Sequence, residues 1–178
     1  MPLVALLFLA VAARRTIIGK VVGMSDVQPV WPAAQLDQIA RLRLQVEASP
    51  RLVGVEQVID APFDAVWRWI EDLESSVPEF DRSVRRLRVV ERDGADLELT
   101  ASGFGAPVGM RFTARLEPGL CVMRARVYFV GMAAVADGDR TRFLHVEGVP
   151  LPGVGRVARP FVRREVRSDL ANIARHFR

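Results

Sequence analysis

The residues best placed to do chemistry are His145 and Glu147, two apart in the run Thr141–Gly148. Successive side chains of a strand point to opposite faces, so residues two apart share one. With Arg140 and Arg142 turned to water, Phe143, His145 and Glu147 face inward. An imidazole beside a carboxylate can work as an acid–base pair, the carboxylate tuning the ring's hold on its proton. Such a pair can pass a proton to and from a bound substrate. The structural alternative is that both residues sit near the strand end, hydrogen-bonded to a loop or to arginines. Leu144 and Val146 are apolar as well, so the inverted assignment of faces competes with the first.

Few other constellations can be drawn. The 178 residues include two histidines, His145 and His176, and one cysteine, Cys121. One cysteine rules out an intramolecular disulfide and any multi-cysteine metal site. Two histidines are too few for a histidine-rich centre, so no metal and no cofactor are expected. Neither a Ser-His-Asp nor a Cys-His arrangement emerges. Cys121 lies in an alternating apolar run and reads as a small buried hydrophobe. His176, beside Phe177 at the end of the chain's last helical stretch, reads as solvated.

The glycine-rich stretch Gly103–Gly109 joins two strand-like runs, whereas a phosphate loop runs from a strand into a helix. It is read as a hairpin loop that rims a cavity mouth. The net charge of +4 comes from arginines scattered among acidic residues. A nucleic-acid reader gathers such charge on one element, so nucleic acid is not expected as a partner.

The elements that must position the pair are legible along the chain. In Val53–Asp60, Val53, Val55, Gln57 and Ile59 alternate with the residues between them, the mark of a strand. Pro62 stands where a first helical residue belongs, because its missing N–H would be unpaired there anyway. Asp64 follows in the first turn, facing the positive end of the helix dipole. Phe63, Val66, Trp67, Ile70 and Leu73 form one stripe at helical spacing. Val77–Phe80 suits one more short helical turn. Strands are expected at Val84–Arg92 and Asp96–Ser102, joined by the hairpin signal Asp93-Gly94, and at Val108–Glu117.

The run Leu120–Ala136 is one bent strand or two, with Gly131 the expected bend. Arg111, Thr113 and Arg115 share a face opposite Met110, Phe112, Ala114 and Leu116. Arg124, Arg126 and Tyr128 oppose Met123, Ala125 and Val127, and the arginine faces are assigned to water. The segment Gly148–Gly153 is a gate or an ordinary connector. In the last segment, Gly153–Phe177, a helical stripe runs through Val162, Val166, Leu170, Ile173 and Phe177. Pro160 should begin or kink that helix.

Strand, APFDAVW helix, short helix, strand meander and long terminal helix together resemble the SRPBCC superfamily over roughly residues 31–177. This is the START-like, helix-grip group that includes polyketide cyclases and dehydrases and lipid-transfer domains. The resemblance implies an α+β helix-grip fold: a curved antiparallel sheet wrapped around a long C-terminal helix, with two short helices after the first strand. It also implies an apolar cavity between sheet and helix. Combined with the face assignments, the expected lining is Trp67, Phe80, Met110, Phe112, Met123, Met132, Phe143, Val166 and Leu170. Methionines would make such a wall deformable; the alternative is that these side chains fill a solid core.

Three functions follow. The first is binding of a hydrophobic small molecule, lipid or polyketide-like. The second is a cyclase or dehydratase reaction carried by His145 and Glu147. The third is protein interaction through an N-terminal helix, the domain core being filled.

The chain is expected to divide into a hydrophobic segment at 1–23, an extension at 24–50 and the domain at 51–178. Leu3–Ala13 is continuously apolar, but eleven residues fall short of the about 20 needed to span a bilayer as a helix. A secretory signal would carry its positive charges before that run, not after it at Arg14 and Arg15. Met24 opens a polar stretch and is expected to be the native start. The protein is expected to be cytoplasmic, with peripheral membrane association through residues 3–13 as a minor alternative. Pro32–Glu47 reads as a helix with Leu36, Ile39, Leu42 and Val46 on one side, packed on the domain or offered to a partner.

Overall fold

The computed structural model describes residues 36–103, 109–151 and 153–178, the side chain of Arg156 excepted. The N-terminal apolar run, Met24 and most of the Gly103–Gly109 loop lie outside the described residues.

Strand β1 (Leu52–Ile59) leads through Pro62 into helix α2 (Phe63–Glu71), which follows helix α1 (Gln38–Glu47) in the chain. Pro62 caps α2, in extended backbone, and the first helical residue is Phe63. Helix α3 (Leu73–Phe80) follows after Asp72. Strands β2 (Arg86–Asp93), β3 (Asp96–Ser102), β4 (Met110–Glu117), β5 (Leu120–Arg124), β6 (Phe129–Asp137) and β7 (Arg140–Gly148) follow, and helix α4 (Val154–His176) ends the chain. Among the described residues these strands form one seven-stranded sheet in the order β1-β7-β6-β5-β4-β3-β2. Every neighbouring pair is antiparallel.

The sheet's curved inner face holds α4, whose Val162, Val166, Leu170 and Ile173 are buried with Val53, Phe143 and Val130 in one core. This is the α+β helix-grip arrangement that the resemblance implies. Pro160 lies inside α4 rather than at its start, and Gly153 caps the helix.

The run from Leu120 is two strands, and the bend is not at Gly131. The chain turns at Ala125–Tyr128, where the Ala125 N–H donates to the Tyr128 carbonyl over 2.8 Å. That turn has Arg126 and Val127 at its centre, with none of the Gly, Pro, Asn or Asp that announce one. Gly131 sits inside β6, paired with Val122 and Val146. Its role is close approach. A Cβ there would lie 2.7 Å from Leu42 Cδ1 of α1, and one at Gly54 would lie 3.3 Å from Val46.

Bare backbone at these two positions lets α1 lie against the outer face of the sheet. Asp37 caps this helix by accepting from the Ala40 N–H at 2.7 Å. Ile39 and Leu42 then bury with Leu52, Leu120, Phe129, Ala133, Leu144 and Val146 in a second, smaller core. Leu36, expected on the same stripe, is about half exposed. The apolar side of α1, expected to pack on the domain or to be offered to a partner, is thus largely taken up by the sheet.

Truncating Leu42 to Ala removes a wholly buried side chain from this second core. Cavity-forming substitutions of this kind cost about 2–5 kcal/mol. Urea denaturation of Leu42→Ala should show a loss in that range; an unchanged midpoint would mean α1 is not part of the cooperative unit.

Candidate functional site

β7 lies between β1 and β6, with Val55 and Met132 opposite His145, and Val53 and Val130 opposite Glu147. Its inner residues Phe143, His145 and Glu147 face α4, and its outer residues Leu144 and Val146 lie beneath α1. His145 is wholly buried and Glu147 is 2% exposed. The two are brought together: Nε2 of the ring lies 3.3 Å from Glu147 Oε1.

Three groups that were not anticipated complete the site. Asp169, on α4, places Oδ2 3.7 Å from His145 Nε2. Tyr128 donates its hydroxyl to Glu147 Oε2 over 2.8 Å. Asp81, just past α3, accepts from the Ser83 N–H at 2.8 Å and borders the same cavity. Both contacts of Nε2 are at ion-pair distance without hydrogen-bond alignment, and neither ring nitrogen has a hydrogen-bond partner. The ring meets Phe80 edge-on, with centroids 5.9 Å apart. Phe80 is fixed in turn through its carbonyl, which accepts from Asn172 of α4 at 2.7 Å.

Tyr128 corrects the sequence expectation, which put it on the water face with Arg124 and Arg126. The turn at 125–128 resets the alternation and swings its ring inward. Asp169 had a visible signal: it stands seven residues after Val162 and three after Val166, on the apolar stripe itself. An acid at such a position is a buried polar group that needs a partner.

Burial alone would lower the proton affinity of His145, but contact with Asp169 and Glu147 outweighs it and pushes the pKa up to about 10. Burial raises Asp169 to about 7, against the opposing pull of the imidazole. Asp81 and Glu165 are raised too, first by burial and then by the charge of Glu147. Burial and the same carboxylate push the Tyr128 phenol well up. These contacts favour the protonated ring, while Asp169, Asp81 and Glu165 resist ionising, and an imidazole in that form is poorly suited to be a base.

Between this cluster and the rest of the grip lies a cavity of about 20 Å³, lined by Val77, Phe80, Asp81, Val84, Leu87, Ala101, Phe112, Met123, Tyr128, Val130, His145 and Glu147. That is room for about one water molecule. Of the expected lining, Phe80, Phe112 and Met123 border it. Trp67, Met132, Phe143, Val166 and Leu170 are buried in the surrounding core, and Met110 is half-buried against it. The Trp67 indole Nε1 is buried without an acceptor.

Cys121 is wholly buried, its thiol pushed up to about 12 by burial, which leaves it inert. His176 is exposed, as expected, and its ring also stacks on Trp69 at 4.3 Å with its Nδ1 2.6 Å from Glu79 Oε1. Among the described residues no helix is long and apolar enough to cross a membrane.

A curved sheet gripping a C-terminal helix, with a small, partly polar cavity between the sheet and the end of α3, defines a START-like domain. The chain belongs to the polyketide cyclase / dehydrase and lipid transport family, whose profile matches residues 50–178. No curated protein sequence matches it significantly. Solved structures share the fold at low identity. One is a Thermus thermophilus protein at 23% identity and TM-score 0.54, covering 71% of this chain and 96% of that one. The Zhui aromatase/cyclase of a Streptomyces species is 16% identical with TM-score 0.55, covering 70% and 92%. A STAR-related lipid transfer protein fragment from Xanthomonas axonopodis is 15% identical with TM-score 0.56, covering 74% and 89%.

His145 and Asp169 both bind protons more tightly in this fold than their ordinary values of 6.5 and 3.8. Stability falls with pH wherever the folded state holds more protons than the unfolded one. Asp169 loses its share as pH rises from about 4 to 7, and His145 as it rises from about 6.5 to 10. The thermal midpoint should decline from pH 6.5 to 9.5, and His145→Gln should flatten that decline. An equal slope in the variant would place His145 outside this linkage.

Proposed function

We propose that this domain binds an apolar small molecule, lipid or polyketide-like, with an oxygen-bearing polar end. The ligand occupies the space between the sheet and α4, its polar end against His145, Glu147 and Tyr128. One observation carries the reading: a wholly buried histidine with two unpartnered nitrogens at the polar end of an otherwise apolar chamber. Buried charge of this kind adds little stability, since well-packed apolar residues serve as well or better. Its presence in a cleft is a mark of function. The family's description, which names both lipid transport and cyclase or dehydrase activity, agrees with a ligand of this class.

At about 20 Å³ the chamber has room for about one water molecule, so a ligand fits only as the walls part. Phe80, Phe112 and Met123 are the side chains that must move. Met123 adapts most readily, having three rotatable bonds and no branching.

Native mass spectrometry of the protein purified gently from its own host should reveal a bound small molecule. Ala101→Trp, which fills the chamber, should remove it. A ligand retained in that variant would place binding elsewhere.

A second reading, a cyclase or dehydratase, is favoured by the 3.3 Å approach of His145 to Glu147 and by the Tyr128 hydroxyl beside them. In it the protonated imidazole donates to a carbonyl oxygen of the substrate, and a neighbouring carboxylate takes a proton from carbon. Replacing both residues, His145→Gln with Glu147→Gln, should abolish turnover and weaken binding by about tenfold at most, the worth of one or two hydrogen bonds. Unchanged turnover would remove the pair from any mechanism.

A further inference from the structure

We propose that His145, Glu147 and Asp169 form a site for a divalent transition-metal ion such as zinc. One ligand atom from each of the three lies within 4.8 Å of the others, and all three residues are buried. A tetrahedral zinc ion with bonds of about 2.0–2.1 Å sets its ligands about 3.3 Å apart. His145 Nε2 stands 3.3 Å from Glu147 Oε1 and 3.7 Å from Asp169 Oδ2, so two edges of the ligand triangle need little adjustment. The ring nitrogen that faces the carboxylates has no hydrogen-bond partner, although the residue is 0% exposed.

The surroundings fit as well. Tyr128 donates to Oε2 of Glu147, which fixes the carboxylate and leaves Oε1 to the ion; outer contacts of this kind orient metal ligands. Asp81 and Glu165 are close enough to Glu147 to feel its charge. Four carboxyls around one imidazole leave the interior with an excess of acid. A divalent cation would take the place of the protons these groups hold, since a metal binds only the deprotonated ring nitrogen and the ionised carboxylate. One nitrogen and two carboxylate oxygens, with no thiolate, suit zinc, iron(II) or manganese(II) better than copper(I). Coordination by three protein atoms leaves a position open toward the cavity that His145 and Glu147 line. An oxygen-bearing ligand could be polarised there.

The test uses the full chain, stripped with a chelator and titrated with zinc chloride in the absence of any organic ligand. A failure therefore leaves the chamber's binding of an apolar molecule standing. The expected result is one zinc per chain, bound at least tenfold more weakly by Asp169→Asn and about 10–100-fold more weakly by Tyr128→Phe. In the unaltered protein, zinc should shift the ring nitrogen signals of His145 in 15N NMR spectra, a readout that holds even where a variant fails to fold. No stoichiometric binding, or zinc that moves the His176 signals and leaves those of His145 in place, would overturn the proposal.

Discussion

An imidazole and a carboxylate two residues apart on β7 are held out of water because α4 covers one face of the strand and α1 the other. Ionised groups in such a place lose their hydration and interact more strongly with one another. The reluctance of Asp169, Asp81 and Glu165 to ionise follows first from that exclusion, whereas the high proton affinity of His145 comes from its contact with Asp169 and Glu147, which outweighs it. The rest of the fold serves it. The glycines at 54 and 131 let α1 seal the outer face, and Asn172 ties α4 to the end of α3 above the histidine.

The small chamber and the titratable cluster adjoin each other. Apolar walls alone would pack to native density and leave nothing to recognise. A charged floor alone would draw water in. Set together, they give a small space with apolar walls, Met123 and Phe112 among them, and a polar end. Family membership agrees with a domain that takes up a small molecule, while likeness at 14–23% identity to aromatase/cyclases and others speaks only to the fold.

Much of the scaffold was legible. The alternation in Val53–Asp60, the proline-started helix after it and the Asp93-Gly94 hairpin each rest on local stereochemistry, and the strands and helix lie within a residue or two of where those signals put them. The turn at Ala125–Tyr128 was not legible, because Arg126 and Val127 have no special backbone preference. The pairing of β5 with β4 and β6 imposes that turn from outside. Tyr128 was misplaced as a direct consequence. The stacking of His176 on Trp69 was not legible either, because it joins residues 107 apart in the chain.

By itself the sequence determined the period of each segment, and so its type and its apolar side: the Phe63–Leu73 stripe, the Val162–Phe177 stripe and the pairing of His145 with Glu147 on one face. These depend on 3.6 and 2.0 residue repeats that any local stretch carries. It could not decide which face of β7 is the inner one, since Leu144 and Val146 are as apolar as their neighbours. Only the tertiary structure decided that, by burying both faces against different helices. It also brought Asp169, Tyr128 and Asp81 to the histidine from three separate elements, and set how much room remained between them. Distances across a core arise from packing between segments far apart in the chain, and no local repeat records them.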